Sequence, residues 1–130
     1  MKEPLALIIE DDNDLANIFA IALEAAEFEI EIVPDGNAAL ERLSTSQPAV
    51  VLLDLHLPYV SGKTILRHIR SDERLAQTRI MLATADSMLA DTLRLEADLV
   101  LLKPIGYSQL RDLAMRLRPP DVLGQVDPSM

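Results

Sequence analysis

The feature that most constrains this chain is an alternation: five short apolar runs, each followed by a stretch of helical periodicity. Leu5–Ile9, Ala49–Leu53 and Ile80–Ala83 are apolar throughout, the pattern of strands buried on both faces, and Leu99–Leu102 reads as a fifth strand. Phe28–Ile32 instead alternates apolar residues with glutamate, which predicts one wet face and a place at a sheet edge. Leu15, Ile18, Phe19, Ala22 and Ala26 share one face of a helix over 14–26. Asp35–Gly36 marks a turn and the start of a helix carrying Ala39, Leu40 and Leu43. Ser61 is placed to cap a helix with Ile65, Leu66 and Ile69, and Asp86 one that runs to about Leu95. Leu110, Leu113, Ala114 and Leu117 mark the last helix, which Pro119 and Pro120 stop. Five strand-then-helix units predict an α/β domain with a parallel sheet, and right-handed crossovers put helices on both of its faces.

A length of 130 residues suits one such domain, expected over 4–118, with 119–130 a flexible tail. Apolar residues make up 49% of the chain, enough to offset chain entropy by burial. The absence of cysteine excludes disulfides, thiolate metal sites and a cysteine nucleophile. A net charge of −9 argues against direct nucleic-acid binding and against anionic lipid surfaces. No apolar run is long enough to cross a bilayer and no secretory signal pattern opens the chain, so the expected location is the cytoplasm. Neither a G-x-x-x-x-G-K-[ST] loop nor a G-x-G-x-x-G turn occurs, which argues against the usual nucleotide and dinucleotide sites.

In an open parallel sheet, ligands bind beyond the carboxyl ends of the strands. The chain puts its chemically unusual residues there: Glu10, Asp11 and Asp12 after the first strand, Asp54 after the third, Thr84 after the fourth and Lys103 after the fifth. Clustered carboxylates repel one another unless a cation compensates, and oxygen-only donors suit a hard ion such as Mg²⁺, with Mn²⁺ as a substitute. A carboxylate can attack phosphorus and form an acyl phosphate, whose oxygens a metal and a lysine can neutralise. Each residue also has a plainer role. Asp11, Asp12 or Asp14 can cap the first helix, Asp54 can close an Asx turn, and Thr84 and Lys103 can be ordinary strand-end and solvated residues. Asp14 is the one expected to serve as the cap. His68 lies mid-helix near Arg67 and Arg70 on a solvated face, whereas His56 matters for its position two residues after Asp54.

Taken together, Ile8–Asp12, Leu53–Asp54 followed by Pro58 and Gly62, Ala83–Asp86, and Leu102–Pro104 resemble the receiver domain of two-component response regulators over roughly residues 4–118. The resemblance implies a stand-alone receiver of flavodoxin-like fold, with five parallel strands in the order 2-1-3-4-5. It implies that Asp54 accepts a phosphoryl group from a phosphohistidine on a sensor histidine kinase or a histidine phosphotransfer protein. Asp12, Asp54 and the backbone carbonyl of His56 would hold Mg²⁺, with Asp11 acting through a metal-bound water. Thr84 and Lys103 would contact the phosphoryl group, and Lys103–Pro104 would be cis. A downstream protein would dock on the face made by the fourth helix, fifth strand and fifth helix. Three departures lie on that output side. Val100 stands where the family carries an aromatic residue, the Thr84-to-Lys103 segment is about one helical turn short, and Glu96 replaces a helix-ending glycine. Two rivals accompany this reading: a receiver-like interaction module that works without phosphorylation, and a Mg²⁺-dependent aspartyl phosphatase. The phosphatase class carries a second aspartate where this chain has His56.

Overall fold

The computed structural model describes residues 3–120. Ten regular elements alternate as expected: β1 (Leu5–Ile9), α1 (Asn13–Ala25), β2 (Glu29–Val33), α2 (Gly36–Leu43), β3 (Val50–Asp54), α3 (Gly62–Ser71), β4 (Arg79–Thr84), α4 (Ser87–Leu93), β5 (Leu99–Leu102) and α5 (Tyr107–Leu117), with a 3-10 turn at Glu73–Leu75. All strand pairings are parallel and the sheet order is β2-β1-β3-β4-β5. The expected doubly wound α/β architecture is therefore what forms. Residues 121–130, most of the expected tail, lie outside the described residues.

Side chains alternate across a strand, so the sheet feeds two cores. Leu7, Ile9, Val51, Leu53, Ile80 and Leu82 face α2 and α3, where Ala39, Leu43, Ile65, Leu66 and Ile69 cover them. Ala6, Ile8, Val50, Leu52, Met81, Ala83 and Leu101 face α1 and α5, under Phe19, Ala22, Leu23, Leu110 and Ala114. Double-sided burial explains why β1, β3 and β4 read as unbroken apolar runs. The edge strand β2 begins one residue later than its alternation suggested. Phe28 precedes it and is buried in the second core.

Helix starts follow local chemistry. Asp35 accepts the Ala38 N–H (2.8 Å), Ser61 the Thr64 N–H (3.3 Å) and Asp86 the N–H groups of Met88 and Leu89. At α1 the cap is Asp12, which accepts the Leu15 N–H at 3.0 Å. This corrects the expectation for Asp14, which lies inside the first helical turn, where a carboxylate favours the positive end of the helix dipole. The fourth helix is short as expected, seven residues ending at Leu93, and Leu95 beyond it is fully exposed.

Candidate functional site

Parallel register aligns the strand ends. Ile9 is level with Leu53, Asp54 with Ala83, and Thr84 with Leu102. The residues that follow β1 and β5, and those that end β3 and β4, thus meet at one edge of the sheet. Gly62 permits the close packing that walls this edge. A Cβ there would stand 2.6 Å from both the Asp54 carbonyl oxygen and the Leu55 Cα, backbone that cannot move aside.

At the centre is Asp54, only 4% exposed, beside Glu10 at 3%. Lys103 Nζ lies 3.3 Å from Asp54 Oδ1 and 3.2 Å from Glu10 Oε1, so one ammonium is shared between two buried carboxylates. Burial alone would lower the Lys103 pKa, but the charges of Asp54 and Glu10 outweigh it and raise the pKa above its ordinary value. Burial also pushes the Glu10 carboxyl up, with the Asp54 charge adding to it, against the lowering effects of the Asp12 N–H and Lys103. Asp54 Oδ1 also accepts the His56 N–H at 3.1 Å. With Oδ1 held twice, Oδ2 is the oxygen left for other chemistry.

Carboxylate oxygens of Glu10, Asp11 and Asp54 lie within 4.8 Å of one another. Against one lysine this leaves an excess of negative charge, and a hard, all-oxygen donor set fits a divalent ion of the Mg²⁺ type. The convergent acids are one residue earlier than the Asp11–Asp12 pair expected from sequence, because the Asp12 side chain is exposed and engaged as the α1 cap. Glu10 was legible only as the first of three consecutive acids. Its inward direction follows from the pleat, since Glu10 continues a strand whose alternate residues enter opposite cores. Thr84 is fully buried at the end of β4, and its Oγ1 accepts the Asp86 N–H at 3.0 Å. A contact with no sequence signal joins Thr84 to the ring of His56, at 3.1 Å between Oγ1 and Nε2. Lys103–Pro104 is cis. Val100 is half-buried against the α3–α4 side, and His68 is exposed.

A doubly wound sheet with a buried aspartate, a paired lysine and an acidic cluster at its carboxyl edge defines a class of small α/β domains with a carboxylate site at the strand ends. Within that class, the response regulator receiver domain matches residues 6–115, and the chain belongs to that family. It is 38% identical over 114 residues to the sensory transduction protein RegX3 of Mycobacterium tuberculosis, covering 86% of this chain and 48% of that protein. It is 36% identical over 107 residues to the transcriptional regulatory protein CutR of Streptomyces coelicolor, covering 80% and 48%. The chain spans about half the length or less of these and other curated relatives that it matches. Among solved structures, a CheY-like receiver domain from Methylobacillus flagellatus superimposes with a TM-score of 0.81 at 26% identity, over 90% of this chain and 100% of that one. Among the described residues, no helix is long and apolar enough to cross a membrane.

Proposed function

We propose that this domain is a phosphoacceptor switch in two-component signalling, acting in the cytoplasm, with Asp54 the residue phosphorylated. The observation that carries the reading is the buried Asp54 carboxylate, held on Oδ1 by Lys103 and the His56 N–H with Oδ2 left unengaged. Oδ2 attacks the phosphorus of a phosphohistidine on a sensor kinase or phosphotransfer protein. The phosphorus–nitrogen bond breaks, the imidazole leaves with the electron pair, and an acyl phosphate forms on Asp54. Lys103 is close enough to follow the transferred oxygens, and Thr84 offers a hydroxyl to one of them. Asp11 and Asp54, with the His56 backbone carbonyl, would hold Mg²⁺, and Glu10 would act from behind them. When bound, the ion would neutralise charge on the phosphoryl oxygens. Asp12 could join only by giving up the Leu15 amide.

The downstream partner is proposed to be a protein that docks on α4, β5 and α5, where Leu102 and Tyr107 are exposed. The acidic net charge is the argument against direct nucleic-acid contact by this domain. A second reading, a receiver-like module that binds without phosphorylation, is favoured by Val100 at the family's aromatic position. Acetyl phosphate with Mg²⁺ separates the two. Asp54→Asn should abolish hydroxylamine-sensitive phosphate incorporation. Equal labelling of the variant would remove Asp54 from the role, and no labelling of the unsubstituted chain would favour the second reading.

A further inference from the structure

The imidazole of His56 has no part in the reading above, which uses only that residue's backbone. Yet His56 bridges the two sides of the site. Its N–H donates to Asp54 Oδ1 at 3.1 Å, and its ring Nε2 stands 3.1 Å from Thr84 Oγ1. Thr84 is fully buried, and its oxygen already accepts the Asp86 N–H at 3.0 Å. A hydroxyl carries one hydrogen, and a buried donor left unpaired is costly. No buried side-chain polar atom among the described residues lacks a partner. In the tautomer that carries its proton on Nδ1, Nε2 accepts the Thr84 hydrogen and both groups are paired.

We propose that His56 is a positioning residue: its ring holds the Thr84 hydroxyl in the unphosphorylated domain and competes with the phosphoryl group for that one hydrogen. The proposal rests on the phosphoacceptor reading. When the hydroxyl turns to a phosphoryl oxygen, the His56 bond is lost. The same oxygen anchors the Asp86 N–H, and Asp86 caps α4. Release of Thr84 thus disturbs the start of the short fourth helix directly, without an aromatic side chain at position 100.

Beryllofluoride, with Mg²⁺, stands in for the phosphoryl group in the test. Its affinity is measured for the unsubstituted chain, His56→Ala, Thr84→Val and the double variant. His56 is exposed, so His56→Ala keeps the fold. Loss of one competing hydrogen bond should tighten beryllofluoride binding about two- to tenfold. On the Thr84→Val background the same substitution should change affinity by less than about twofold. The ¹⁵N resonances of the neutral His56 imidazole in the unsubstituted, beryllofluoride-free chain should place the ring proton on Nδ1. Unchanged or weaker binding by His56→Ala, an equal gain on both backgrounds, or a proton on Nε2 overturns the proposal and leaves Asp54 as acceptor. No beryllofluoride binding by the unsubstituted chain overturns both.

Discussion

Asp12 and Asp11 are neighbours in sequence but differ in what their carboxylates meet. Asp12 is spent on the α1 cap, whereas an Asp11 oxygen converges with those of Glu10 and Asp54. Asp11→Ala should therefore weaken Mg²⁺ binding at least about tenfold, because it removes one charged oxygen donor from the cluster. Asp12→Ala should change Mg²⁺ affinity far less and instead cost about 1 kcal/mol of stability through the lost cap. Calorimetric titration with Mg²⁺ and urea denaturation of both variants check this pair of outcomes. The reverse order of affinities would put the metal site one residue further along the chain. Side-chain direction explains why the two acids, both exposed, were not separable in the sequence. Three adjacent carboxylates look alike until the strand pleat and the helix start give each a direction.

The elements differ in what ties them to the sheet. The junction of β4 and β5 hangs on Asp98, which accepts the Ile80 N–H at 2.7 Å and pairs with Arg70 and Arg79. Burial alone would raise its pKa, but the Ile80 N–H and the two guanidinium groups outweigh it and hold the carboxyl below its ordinary 3.8. A depressed folded-state pKa contributes stability above the unfolded value and loses it as pH falls through the folded one. This anchor should thus be intact above about pH 4 and fade below it, and Asp98→Asn should flatten that part of the acid-stability curve. At neutral pH, Asp98→Ala should cost roughly 2–3 kcal/mol by denaturant titration, since charge-assisted hydrogen bonds are lost together. Output is a property of the neighbouring α4. Val100 is β-branched and has few rotamers to exchange, whereas Thr84 touches the residue that caps this helix. Hydrogen exchange with beryllofluoride should therefore change across residues 84–95 and little at Val100. Val100→Ala should cost about 1 kcal/mol or somewhat more while leaving phosphorylation-dependent partner binding largely intact. Protection changes centred on Val100 with none over 84–95 would point to a different relay.

For the whole molecule, the acidic edge is a local imbalance that the rest of the fold tolerates. An ion that binds the folded chain and not the unfolded one stabilises it by mass action, about 2.7 kcal/mol at a hundredfold excess over Kd. For a domain of this size that corresponds to a rise in Tm of roughly 8–12 °C, and the Asp54→Asn chain should show a smaller rise. An unchanged melting temperature at saturating Mg²⁺ would count against the cluster. How much of all this the chain declares in advance depends on the range of the interaction. Periodicity, caps and apolar runs are local, so the alternation of elements, the parallel sheet and the edge position of β2 were all readable, as was the gathering of Asp54, Thr84 and Lys103 at one edge, whereas the brevity of α4 followed from the family resemblance. The boundary of β2, the choice of Asp12 over Asp14 as cap, the inward turn of Glu10 and the ring of His56 on Thr84 were not. Each depends on direction in space, set by pleat, register and crossovers that join residues as far apart as Glu10 and Lys103. Which residues are available is a matter of sequence. Which of their atoms meet is decided by packing, because only the folded sheet brings strand ends together and turns each side chain to one face.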